Sequence, residues 1–157
     1  MTVQIGDRIP SANLTRATDD GPKPVTTDDI FAGKTVALFA VPGAFTPTCS
    51  ARHLPGFKAN LDAFKGKGVD VVACLSVNDA FVMKAWAESQ GVEDGSIVML
   101  ADGNGELTRA LGLVLDGSGF GLGERSQRYS MLVKDGVVTE LNIEQGGEFK
   151  VSSAEHL

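Results

Sequence analysis

The 157 residues include only two cysteines, two histidines, one tryptophan and one tyrosine. Cys49 and Cys74 are too few for a disulfide framework and too far apart for the CxxC spacing of dithiol redox or zinc sites. They suit a reducing compartment. The N-terminus MTVQIGDRIP lacks the basic stretch and continuous apolar core of a secretory signal, so a cytoplasmic setting is the default expectation. With His53 and His156 as the only histidines, a metal site has little to build on. No apolar run approaches the length needed to cross a bilayer, which argues against a membrane protein. Basic charge is also in deficit: 14 Lys and Arg against 20 Asp and Glu give a net charge of -6, so there is no general basic surface for nucleic acid. Small molecules and proteins remain as partners.

With 43% hydrophobic and 22% charged residues, the chain is read as one domain over residues 1–157, large enough to bury a core. Residues 3–9 suggest a short entry strand, followed by a Gly/Pro hairpin or loop before Val25. Thr27, with Asp28 and Asp29 behind it, is expected to cap a short helix that stops at Gly33. TVALFAV, residues 35–41, is a continuous β-prone run of the kind that lies inside a sheet covered on both faces. Leu54, Phe57, Leu61 and Phe64 recur at helical spacing up to Gly66, with a kink or restart expected at Pro55. Val69 to Val77 reads as a second buried strand, and Asn78 or Asp79 caps a helix ending at Gly91. Ser96 to Leu100 is a third strand, followed by a short helix around Leu107 to Leu111. Strands at 127–133 and 137–143 flank Lys134-Asp135-Gly136, a tight-hairpin signal, and Ser152, Ser153 and Glu155 read as a capped helix start. Strands alternating with helices predict an α/β layer fold.

The chain turns on VPGAFTPTCSARHLPGF, residues 41–57, where the apolar strand runs into a turn and then a helix with Cys49 in its first turn. Free amides and the positive helix end favour thiolate there, which reads as a reactive cysteine; the alternative is a small buried hydrophobe. Pro42, Thr46 and Cys49 form PxxxTxxC, placing a hydroxyl one turn before the sulfur and a rigid residue at the entrance. His53 lies four residues after Cys49, on nearly the same helix face, and is read as a base or hydrogen-bond partner, or as a buttress of the pocket or a subunit contact.

VPGAFTPTCS at 41–50, HLPGF at 53–57, VACLSVNDAFVMKAW at 72–86 and RSQRYSMLV at 125–133 together resemble the type II peroxiredoxins, the peroxiredoxin-5 group of thioredoxin-fold thiol peroxidases. The resemblance covers nearly the whole chain. It implies a thioredoxin-like fold, a central mixed β-sheet flanked by helices, and a homodimer. It also implies reduction of hydrogen peroxide and organic hydroperoxides through a Cys49 sulfenic acid, in antioxidant defence. Thr46, Cys49 and Arg128 would surround the peroxide, with the backbone amides of Gly43 and Cys49 holding its oxygens and Pro42 shielding the sulfenate. Arg128 is preferred because it directly precedes the Tyr129 strand; Arg125 either orients it or lines the loop.

Cys74 stands where plant members of the family carry a resolving cysteine, yet within an apolar strand it also reads as core. If Cys74 is silent, glutathione or a partner thiol attacks the sulfenic acid, with glutaredoxin or thioredoxin as reductant. No metal, haem or other cofactor is required. A rival reading is a peroxide-sensing relay or redox-regulated binding protein using the same cysteine. A disulfide oxidoreductase is disfavoured by the missing CxxC. Gly117, Gly119, Gly121 and Gly123 read as a loop, not a phosphate cradle, because no strand precedes them and no lysine-bearing helix follows. Phe45, Phe81, Phe120 and Trp86 are core residues or dimer anchors, and Thr18 to Asp20 is a solvated turn.

Overall fold

The computed structural model describes residues 2–18, 20–46, 52–92, 95–144, 151–154 and 157. Its centre is β3 (Thr35–Val41), six of whose seven residues are fully buried. An uninterrupted apolar run suits this place, since each face of the strand meets a different hydrophobic layer. Ala37, Phe39 and Val41 point into one cluster and Val36, Leu38 and Ala40 into the other.

The chain enters through a hairpin, β1 (Asn13–Thr18) and β2 (Gly21–Thr26), then α1 (Thr27–Phe31) leads to β3. After β3 come α2 (Leu54–Ala59), α3 (Leu61–Gly66), β4 (Val71–Ser76), α4 (Ala80–Gln90), β5 (Val98–Ala101) and α5 (Glu106–Leu111). A small β6 (Val114–Asp116) and β7 (Glu124–Ser126) pair with each other, and β8 (Tyr129–Lys134) and β9 (Val137–Ile143) complete the main sheet. Its seven strands run in the order β2-β1-β5-β4-β3-β8-β9, with β3, β4 and β5 parallel and the remaining pairings antiparallel. Residues of α2, α3 and α4 fill the first layer (Leu54, Phe57, Phe64, Met83, Trp86), and residues of α1 and α5 the second (Ile30, Phe31, Leu107, Leu111). This is the mixed sheet flanked by helices expected from the sequence.

Several local expectations need correction. Residues 3–9 form no strand, contributing only an isolated bridge from Arg8 to Val137. The entry strands lie instead at 13–18 and 21–26, the second containing Pro22 and Pro24. Counting from the closing pair Thr18–Gly21, both prolines fall at positions whose amides face away from β1, so an edge strand loses nothing by them. The cap of α1 is Thr26, one residue before the expected one, in a reciprocal capping box with Asp29. Thr27 is buried, where its hydroxyl donates to the Pro10 carbonyl and accepts from the Ala12 amide.

Pro55 causes no break, because it occupies the first turn of α2, where no amide partner is needed. The restart falls at Asn60, whose side-chain amide donates to the Gly56 carbonyl at 2.8 Å. The glycine-rich loop is preceded by a strand after all: β6 and β7 bracket it, with a short 3₁₀ turn at Ser118–Phe120. Residues 151–154 form bends and a turn, not a helix start, and Glu155 and His156 fall outside the described residues, as does Asp19 of the acidic turn. The Asp135-Gly136 hairpin is present, with both residues at positive φ (47° and 79°). Trp86 is fully buried core, whereas Phe45, Phe81 and Phe120 are 53%, 71% and 88% exposed.

Candidate active site

At the end of β3 the chain turns through Pro42, Gly43, Ala44, Phe45 and Thr46, and the side chains of Arg125, Thr46 and Asn78 hold that turn. Arg125, half-buried on β7, donates from Nη1 to the Pro42 carbonyl at 3.3 Å and from Nε to the Leu122 carbonyl at 3.0 Å. The Thr46 hydroxyl donates to the Gly43 carbonyl at 2.7 Å. Asn78 Oδ1 accepts from the Ala44 amide at 3.0 Å and from the Ser76 hydroxyl at 2.6 Å. A Cβ at Gly43 would lie 2.8 Å from Arg125 Nη1 and 3.1 Å from Thr46 Cγ2, so a side chain there would displace the Arg125 guanidinium from the turn. Phe45 has φ of 65°, an uncommon value for a residue with a side chain.

Cys49, and with it the expectation of a thiol in a helix's first turn, lies outside the described residues, which stop at Thr46 and resume at Arg52. The β3–β8 register sets Tyr129 opposite Ala40, so Arg128 stands level with the end of β3, beside the Pro42 turn. Arg128 is 6% exposed, and its Nη1 lies 2.8 Å from His53 Nδ1. His53 is fully buried, with Nε2 2.9 Å from the Ser152 carbonyl and its ring tilted 5.0 Å from that of Phe39, which stacks on Phe57 at 4.1 Å.

The tautomer of His53 follows from its partners. A carbonyl only accepts and a guanidinium only donates, so Nε2 carries the proton and Nδ1 offers its lone pair. Only neutral imidazole satisfies both. Burial, and then the Arg128 charge, hold the His53 pKa down from its ordinary 6.5 to about 3, against the opposing pull of the Ser152 carbonyl and Glu144. Both ring nitrogens are thus engaged, and the geometry is that of a buttress rather than a base.

The unfolded chain takes up a proton here near pH 6.5 and the folded protein only near 3, so stability falls as pH drops through that window. The slope is about 1.4 kcal/mol per pH unit from this group. Thermal unfolding of wild type and His53→Gln between pH 7 and 4 should show a shallower acid limb in the variant; parallel limbs would contradict the assignment.

Cys74 pairs with Phe39 on β3 and Met99 on β5, has no exposed surface, and belongs to the same hydrophobic layer as Phe57 and Trp86. Tyr129 points to the opposite face, where burial, and then the Asp102 charge, push its phenol pKa up and keep it neutral. Sequence reasoning missed the anchoring role of Asn78, treating it only as a possible helix cap; Asp79 takes the cap, accepting from the Val82 amide at 2.8 Å. It also missed Glu144 and Ser152. Among the described residues no three His, Cys, Asp or Glu side chains gather as metal ligands, and no helix is long and apolar enough to cross a membrane.

The Redoxin family model matches residues 4–157. Peroxiredoxin-2E-2, chloroplastic, of Oryza sativa subsp. japonica is 53% identical over 160 residues, covering 99% of this chain and 71% of that protein. The crystal structure of reduced Prx3 in complex with H2O2 from Vibrio vulnificus superposes with a TM-score of 0.93 at 53% identity, covering 99% of this chain and 96% of that one. The chain belongs to the peroxiredoxins.

It is a peroxiredoxin of the peroxiredoxin-5 group with a thioredoxin fold, and its activity is that of a thiol-dependent peroxidase. Peroxiredoxin 5 from Alvinella pompejana has the same fold at a TM-score of 0.81 and 38% identity, covering 90% of each chain. In this peroxiredoxin the turn at 42–46 and the Arg128–His53 pair stand at one end of β3, and Cys49 falls in sequence between Thr46 and Arg52.

Proposed function

We propose that Cys49 is the peroxidatic thiol and that Pro42, Gly43, Thr46 and Arg128 form the pocket for hydrogen peroxide and organic hydroperoxides. The observation that carries this reading is buried Arg128, whose backbone the β3–β8 register sets level with the end of β3, where the Pro42–Thr46 turn begins. A cation there favours Cys49 thiolate and stabilises charge on the departing oxygen. The thiolate attacks the outer peroxide oxygen, the O–O bond breaks, and the leaving oxygen takes a proton to depart as water or an alcohol. Sulfenic acid remains on Cys49. Thr46 and the amides of Gly43 and Cys49 hold the oxygens, while Arg125 supports the turn and His53 supports Arg128. No bound metal or cofactor enters the cycle.

Recycling is proposed to need one cysteine only, with glutathione and glutaredoxin, or thioredoxin, as the reductant. The support is the position of Cys74 on a strand paired on both sides, under a packed aromatic layer; joining it to another sulfur requires opening that layer. After one equivalent of hydrogen peroxide followed by glutathione, intact mass should show a glutathione adduct on Cys49, and Cys74→Ala should turn over like wild type. A loss of two hydrogens that disappears in Cys74→Ala, together with most turnover, would make Cys74 the resolving thiol. Running the same assay with glutaredoxin and, separately, thioredoxin identifies the reductant.

The proposal also takes residues 1–157 as one domain working in the cytoplasm, the setting suggested by the scarcity of cysteine. A homodimer completes it, supported by the exposed Phe45, Phe81 and Phe120 as aromatic anchors.

A further inference from the structure

Glu144 is an acid at 4% exposure, following the last residue of β9. A buried carboxylate is costly unless it is hydrogen-bonded, and this one accepts from the Val151 amide (2.8 Å), the Ser152 amide (2.7 Å) and the Ser152 hydroxyl (2.7 Å). The Glu144 amide in turn donates to the Arg128 carbonyl at 2.9 Å. With the His53 contacts these bonds close a ring. It runs from the Arg128 backbone to Glu144, from the Glu144 carboxylate to Ser152, from the Ser152 carbonyl to His53 Nε2, and from His53 Nδ1 back to the Arg128 guanidinium.

Each link has a set direction. Carboxylate and carbonyl accept, amide and guanidinium donate, so the ring admits one imidazole tautomer and one orientation of the Arg128 head group. A guanidinium on a long side chain otherwise has several rotamers, and a buried cation that wanders gives less transition-state stabilisation than one held in place.

We propose that Glu144 and Ser152 are positioning residues for peroxide reduction: they hold His53, and His53 holds the Arg128 guanidinium. The inference rests on the role assigned above to Arg128. Glu144 does not touch the peroxide. Its carboxylate fixes the Val151–Ser152 backbone, and the Ser152 carbonyl selects the protonated nitrogen of His53.

The test compares the second-order rate of Cys49 sulfenic acid formation with the His53 tautomer read from side-chain 15N NMR. Wild type should show one neutral tautomer, protonated at Nε2. Glu144→Ala should mix the two tautomers and slow the reaction by roughly 10- to 100-fold, the scale of a group displaced by about 1 Å, with the KM for the reductant unchanged. Glu144→Gln keeps an acceptor oxygen and should recover most of the rate. Glu144→Asp, shorter by one methylene but still charged, serves if the alanine variant does not fold and should show both defects in milder form. Wild-type rates in Glu144→Ala or Glu144→Asp, while Arg128→Ala is slow, would overturn this inference and leave the Arg128 role standing. Slowing with the tautomer unchanged would overturn it too, because the route through His53 would be absent. A wild-type rate in Arg128→Ala would instead sink the pocket assignment on which it rests.

Discussion

Cys49→Ser should fold like wild type and consume peroxide no faster than buffer containing the reductant alone. A serine hydroxyl in that pocket is far less nucleophilic than a thiolate, and it cannot form a sulfenic acid to be recycled. The measurement is hydrogen peroxide consumption with each reductant, beside a circular dichroism spectrum to establish folding. Retained turnover would move the chemistry to Cys74, the only other sulfhydryl, and would require the sheet to open during catalysis.

Arg128→Ala should lower the rate constant for sulfenic acid formation by roughly 10²- to 10³-fold, the usual loss when one preorganised donor to developing charge is removed. Folding stability should fall as well, by about 1–3 kcal/mol, because the lone pair of His53 Nδ1 is left in a dry interior without its donor. Stopped-flow rates and chemical denaturation separate the two effects. Arg128→Lys keeps the charge but loses the planar fork, so only part of the rate should return. If the lysine variant matches wild type, charge alone is what the site requires; if the alanine variant does, Arg128 is structural.

The sequence was readable wherever its signal was local. The β3 run, the Asp135-Gly136 turn and the helix closed by Gly91 each carry their cause within a few residues, and all three are present. PxxxTxxC marked the turn for the same reason, with Thr46 reaching back three residues to Gly43. What could not be read was long-range. Asn78 meets Ala44 across 34 positions and His53 meets Ser152 across 99, and neither residue type announces its partner. Before Val25 the sequence allowed a hairpin or a loop, and the structure has the hairpin; two prolines argue against a strand unless its place at the edge is known. Asn60 was passed over in favour of Pro55 because proline breaks helices everywhere except at their start.

Pro22 and Pro24 also bear on the protein's behaviour in a crowded solution. Along the outer margin of β2 two hydrogen-bond donors are missing at alternate positions, so another chain laid against it finds an interrupted ladder. Sheet-to-sheet polymerisation through that margin is therefore suppressed by covalent chemistry and not by charge, and raising the salt concentration leaves that protection in place.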